Sequence, residues 1–308
     1  MAGYIVRRLL VSIPVILGTL TLVFLIIHWL PGDPAVMLAG DDAAPDRIEF
    51  LRQQLGLDRP LWQQYLSYIW SSVQGDFGTS FANSQPVLNR LIAQMPATLS
   101  LAVLSTLFAA VIGVVLGILS AVYKNRFMDY VIRLVSLLGV SMPSFWVAIL
   151  LILIFSVHFQ LLPAIGNGSF KQLILPAIAL GISGAGTLIR MVRNSVLEVI
   201  GEQFVLTLRA KGLSERVVLY QHVLRNALLP ALTILGIIVG NMLSGAVVTE
   251  TVFSRQGLGK MVVDAINQKD IPVIQAAVLI TAVITILVNL LVDISYSYVD
   301  PRVRKSRS

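Results

Sequence analysis

The sequence has no cysteine, which excludes disulfides and thiolate metal sites. Charge is scarce as well. Only 13% of its 308 residues are Asp, Glu, Lys or Arg, about half the share of an average soluble domain. Catalytic signatures are missing too. There is no HExxH, no nucleophile elbow and no carboxylate cluster with metal spacing. The nearest approach to a phosphate-binding loop, "FSRQGLGKM" at 253–261, lacks both the first glycine and the final Ser/Thr. The three histidines, His28, His158 and His222, are isolated and read as interfacial or surface residues. The sequence therefore offers no catalytic residue, no cofactor-binding residue and no metal ligand.

What is present is apolar. Hydrophobic residues make up 56% of the chain and the mean hydropathy is +0.82, which places it in the membrane class. A helix needs about 20 mostly apolar residues to cross a bilayer core. Runs of that kind predict six helices at approximately 9–30, 98–122, 132–157, 172–192, 228–250 and 274–297. Together they form one all-α, polytopic domain over 1–308. The first run is too long for a signal-peptide core, and Leu30-Pro31-Gly32 is no cleavage site, so it reads as an uncleaved helix. Pro143, in "SMPSFW", is expected to kink the third helix.

The net charge of +7 is informative through its location rather than its sum, and does not call for nucleic acid. With the N-terminus inside, the inner segments hold 15 of the 23 basic residues against five acids, including Arg7, Arg8, Lys124, Arg126, Arg190 and Arg193. The positive-inside rule then puts both termini in the cytoplasm. Asp293 is the one acid read inside a span, open to a structural role, such as pairing with Arg190, or a functional one. A proton-coupled carrier would hold several such groups.

Two loops are more than connections. Residues 31–95 form a large outer segment with two helical patterns broken at Gly56 and Pro60, then the Gly-rich "GDFGTSF" at 75–81. It suits a cap packed on the bundle, a docking surface for an external partner, or both. Asp41, Asp42 and Arg255 are expected among its and the 251–273 loop's exposed charges. The second loop, 193–227, contains "RAKGLSERVVLYQHVLRNALLP" at 209–230. Gly212 can supply the positive φ that ends a helix around 196–211, and Ser214 can cap the next. On that next helix Leu213, Val217, Tyr220, Leu224 and Leu228 predict an apolar face, opposite Glu215, Arg216, Gln221, His222 and Arg225. Such a helix either lies on lipid or fits a groove on a cytoplasmic partner.

This segment resembles the EAA-type cytoplasmic loop of ABC importer permeases, above all the peptide permeases. Further matches run in order along the chain. They include "YIVRRLL" at 4–10, "LPGDPA" at 30–35, "QLGLDRPLWQQY" at 54–65, "SMPSFW" at 141–146, "GAVVTETVFSRQGLGK" at 245–260 and "NLLVDISYSYVDPRV" at 289–303. Together they resemble the B-type permease subunit of dipeptide and oligopeptide ABC importers. Departures occur at Thr207-Leu208 and at Arg255-Gln256. The resemblance implies a type I importer fold in the cytoplasmic membrane of a bacterium. It also implies a second, related permease, two ATPase subunits that bind ATP and Mg, and an extracytoplasmic solute-binding protein. Relatives of this kind carry peptides, glutathione, nickel chelates, opines or oligosaccharides. The ATPase contact would fall on Arg209, Ala210, Lys211, Gly212, Leu213, Ser214, Glu215, Arg216, Val217 and Tyr220. Ser141, Pro143 and Ser144, with Asn241 and Ser244, are candidates for the transport pathway. Gly113-xxx-Gly117 and Gly236-xxx-Gly240 permit close helix approach, either within the bundle or between subunits.

Overall fold

The computed structural model describes residues 2–29, 33–40 and 43–299, and among them the regular structure is helical. Side chains of residues 2–9, Met37 and 293–299 lie outside that description, as do Asp41 and Asp42, so the readings of Asp293, Asp41 and Asp42 do too. The helices are α1 (Ala2–Trp29), α2 (Pro34–Ala39), α3 (Pro45–Gln54), α4 (Leu61–Gln74), α5 (Val87–Val122), α6 (Phe127–Ser141) and α7 (Ser144–Leu151). After α7 the chain continues as a π-helix, Ile152–His158. Then follow α8 (Lys171–Ile200), α9 (Gln203–Ala210), α10 (Glu215–Val217), a second π-helical stretch Val218–Val223, α11 (Leu224–Ala227), α12 (Leu229–Val252), α13 (Leu258–Asn267) and α14 (Ile271–Val299). Among the described residues five helices are long and apolar enough to cross a membrane, six if the bent pair 127–141 and 144–158 is one span.

That pair differs from the single kinked helix expected over 132–157. The second half is bent by 110° from the direction of the first. Pro143 has no N–H to continue the ladder, and its ring drives the preceding residue out of the helical region. Met142 accordingly sits at φ −86°, ψ 132°, and Pro143 itself at ψ 138°. Two consecutive extended residues break a helix where one would bend it.

The chain divides into two compact units, one of residues 1–96 and 256–286 and one of 97–255 and 287–308. In the first, Val87, Leu91, Leu258, Met261, Val273 and Ala277 form a buried core. The second unit is organised around α8, which packs on α6, α7, α11 and α12. Glycines bring α5 close to α8 as well. A Cβ at Gly113 would stand 2.6 Å from the Cβ of Leu188, and one at Gly117 2.7 Å from that of Val192. The Gly113/Gly117 pair therefore packs α5 on α8 inside the unit.

Candidate functional site

The loop between α8 and α12 is built as a helical knob. α8 ends at Ile200, short of the helix expected to reach 211, and α9 begins after a break at Gly201-Glu202. α9 is closed by a two-bond cap. The Gly212 N–H donates to the Arg209 carbonyl at 2.9 Å and the Leu213 N–H to the Leu208 carbonyl at 3.3 Å. This is the Schellman arrangement, and it needs a left-handed residue at its centre. Gly212 is there, at φ +81°. Ser214 occupies the cap position of α10 with extended backbone, yet its side chain makes no capping bond, contrary to expectation. The turn is held instead by an ion pair the sequence reading missed. Arg209 Nε and a terminal guanidinium nitrogen donate to the two Glu215 oxygens at 2.8 and 3.1 Å. The carboxylate beside it raises Arg209 above its ordinary pKa. Opposite charges either side of a glycine turn were the available signal.

The buried face of this segment departs from the predicted one at Tyr220, while Leu224 is buried as expected and Leu213, Val217 and Leu228 are half-buried. Val218, Val223, Leu224 and Ala227 are buried, while Tyr220, placed on the apolar face by a 3.6-residue period, is 64% exposed. The cause is the π-helical register over Val218–Val223. An i→i+5 bonding pattern brings residues five apart onto one face, so Val218 and Val223 point together and Tyr220 turns out. Leu213 and Val217 are half-buried, while Arg209, Ala210, Lys211, Gly212, Ser214, Glu215 and Arg216 are exposed. The buried face seats the π-helix and α11 against α8, and α9 against the π-helix. The exposed remainder is a polar, mixed-charge surface tipped by one aromatic ring.

Two buried charge sites brace the same unit, and neither was foreseen. Asp129, in the first turn of α6, is fully buried and accepts two bonds from Arg193 of α8, at 2.8 and 2.9 Å. Ser120 Oγ and the Asn125 N–H donate to it as well, at 2.6 and 2.9 Å. The start of α8's loop-facing end is thereby tied to the α5–α6 turn. Glu250 of α12 is also fully buried and accepts from Thr98 at 2.6 Å. Arg255 is a correction. Expected on an exposed docking surface, it is 4% exposed, and it donates to Ser100 Oγ at 3.2 Å. Burial lowers its pKa, partly offset by Glu250.

The pathway candidates lie apart in kind. Ser141 ends α6 and is exposed, Pro143 is exposed in the break, and Ser144 opens α7 half-buried. Asn241 and Ser244 are exposed on α12, three residues apart on one face. α7 packs on both α8 and α12, so the break and the α12 face belong to neighbouring helices.

In the first unit, the 75–81 loop is fixed by Asp270, which is fully buried. Its carboxylate accepts from Ser80 Oγ and from the Phe81 N–H at 3.0 Å, with Arg90 3.5 Å away. "GDFGTSF" and "KDIPVIQ", far apart in sequence, thus form one structure. Asp33 caps α2 through the Ala35 N–H at 2.9 Å and pairs with Arg52, which holds its carboxyl below the usual range. No group of three or more His, Cys, Asp or Glu placed to hold a metal occurs among the described residues.

Comparison with known proteins agrees in kind. Residues 113–305 match the family model of the binding-protein-dependent transport system inner membrane component, and residues 1–102 match that of its N-terminal part. The chain is 40% identical to the dipeptide transport system permease protein DppB of Escherichia coli K12, covering 100% of both. It is likewise 40% identical to DppB of Alkalihalophilus pseudofirmus, over 99% of this chain and 100% of that protein. Identity is 41% to the glutathione transport system permease protein GsiC of E. coli K12, covering 99% of each. Among solved structures, an inward-facing form of the MetNI methionine ABC transporter superposes with a TM-score of 0.58 at 18% identity, covering 68% of this chain and 96% of that one. At that identity the likeness shows the fold, a type I importer permease.

Proposed function

Because this chain belongs to the binding-protein-dependent transport system inner membrane component family, we propose that it is the membrane-spanning permease subunit of an ATP-driven importer of short peptides. The observation that carries the proposal is the exposed, rigidly turned knob at 209–220, set on α8 in a chain with no phosphate-binding loop of its own. Hydrolysis is assigned to two partner ATPases at the cytoplasmic face. A groove on each would receive a short helix of mixed charge with an aromatic tip. The knob is seated on α8 by its buried face, so displacement of the knob moves α8. Through α8's packing on α6, α7 and α12 that movement reaches the broken helix at Met142-Pro143 and the Asn241/Ser244 face, the proposed pathway. A second, related permease would supply the other half of the pathway.

Both termini are assigned to the cytoplasm from the basic residues, and residues 33–60 and 256–270, the latter including α13, to the opposite face, where a solute-binding protein docks. Cysteine at Lys211 should react with a membrane-impermeant maleimide only in inverted vesicles, and cysteine at Asp58 only in intact cells. The peptide assignment rests on the DppB relatives, and the near-equal identity to GsiC favours glutathione as a second candidate. Proteoliposomes holding the whole transporter, with its binding protein and ATP supplied on opposite sides, should take up a labelled dipeptide. Competition by unlabelled glutathione separates the two substrates. Uptake driven by an ion gradient without ATP would replace this reading with that of a secondary carrier.

A further inference from the structure

Helix α4 contains no charged residue and presents two opposed faces. On one, Gln64, Ser67, Tyr68 and Ser71 line a cavity of about 610 Å³. On the other, Trp62, Leu66, Trp70 and Val73 form a stripe at helical spacing, exposed by 62, 55, 65 and 73%. We infer that this stripe lies in lipid, at the boundary between acyl chains and headgroups, in the leaflet that holds the C-terminal end of α1.

The level of α4 along α1 decides the occupant. The Tyr65 hydroxyl bonds Thr21 Oγ1 at 2.7 Å, and Gln64 bonds the His28 ring at 3.2 Å. Between them the Phe24 ring packs on Tyr65 and Tyr68, with centroids 5.3 and 6.0 Å apart. Thr21, Phe24 and His28 all belong to the apolar span Leu10–Trp29. Thr21 stands about 12 Å of helix before Trp29. The Gln64–Tyr68 turn of α4 therefore lies beside the last two turns of the span and not beyond its end. A water-soluble partner does not reach that depth, whereas lipid is already there. The same turns of α1 carry exposed apolar residues of their own, Leu22, Ile26 and Trp29, exposed by 61, 52 and 78%. Two tryptophans on an otherwise aliphatic stripe suit the headgroup boundary, which accepts an apolar ring with a polar edge. With no cation on α4, attachment comes from apolar area alone and does not depend on anionic lipid.

The cysteine-free chain makes the test direct. Single cysteines are introduced at Leu66 and Trp70 on the stripe and at Ser67 and Ser71 on the opposite face. They are spin-labelled in the reconstituted transporter, whose signal without the added cysteine is subtracted. Collision with oxygen, which concentrates in lipid, is compared with collision with a water-soluble nickel chelate. The oxygen-to-nickel ratio should be about threefold or more higher at 66 and 70 than at 67 and 71. It should not change when phosphatidylglycerol is replaced by phosphatidylcholine. Nickel relaxing 66 and 70 as strongly as 67 would place the stripe in water. Labels at 66 and 70 reached by neither reagent would place it against another protein chain. Either result overturns the inference, whether or not the bilayer also transports peptide.

Discussion

Replacing Gly212 by valine isolates the turn that shapes the knob. A Cβ at this position meets nothing within 4 Å, so the substitution costs no packing. The whole effect falls on the backbone, at φ +81°. A left-handed conformation costs an L-residue about 1–2 kcal/mol, which is about 5- to 30-fold in the population of the folded turn, and valine's branched Cβ lies at the upper end. If the backbone relaxes instead, the two capping bonds and the Arg209–Glu215 pair are lost together. Gly212→Val should insert in the membrane and pair with its sister permease, yet retain the ATPases poorly and lose ATP-driven uptake about fivefold or more. Asparagine tolerates the left-handed region, so Gly212→Asn should stay within about twofold of the parent. Uptake in proteoliposomes and the ATPase content of the purified complex are the two readouts. Full uptake with full ATPase retention in the valine variant would refute the rigid-turn argument. Equal damage from asparagine would refute it differently, by showing that the knob's tip tolerates no side chain at all.

Three further outcomes follow from the same geometry. Glu215→Lys removes a pair whose carboxylate is 71% exposed, so the loss is about 0.5–1 kcal/mol and ATPase retention should weaken only about two- to fivefold. Asp129→Asn leaves Arg193, only 14% exposed, without its carboxylate, and should cost about 3 kcal/mol or more in a detergent-melt comparison, with Asp129→Asn/Arg193→Met recovering much of it. Recovery absent in the double variant would mean the pair does more than satisfy its own charges. Asp270→Ala should free the 75–81 loop and open the Phe81 amide to hydrogen exchange, since that N–H donates to the Asp270 carboxylate; unchanged exchange would show the loop is held by other contacts.

Hydropathy carried much of the architecture, because a span is a property of a contiguous run and needs no knowledge of neighbours. The Gly212 turn was legible for a similar reason: a glycine between two polar helical patterns is a local signal. The failures share a cause. Arg255 reads as a loop charge because its burial depends on a residue more than 150 positions away, Ser100, and the Glu250 site is equally remote from its partner Thr98. Asp129 likewise meets Arg193 across 64 positions. Tyr220 leaves the apolar face of 213–228 because residue types do not announce a π-helical register, which packing against α8 and α9 can impose. At Pro143 the residue was read correctly and its effect underestimated, since the extended state of Met142 adds to the proline's own.

The most direct test of the coupling account uses the exposed residues of the knob as contact probes. Cysteines placed singly at Lys211, Arg216 and Tyr220, in the assembled transporter, should cross-link to an ATPase subunit with a short bifunctional reagent, and addition of ATP should change the yield. A cysteine at Ser67 on α4 should give no such product. Cross-linking at none of the three knob positions, in a complex that still imports peptide on ATP hydrolysis, would contradict the assignment of residues 209–220 as the coupling surface.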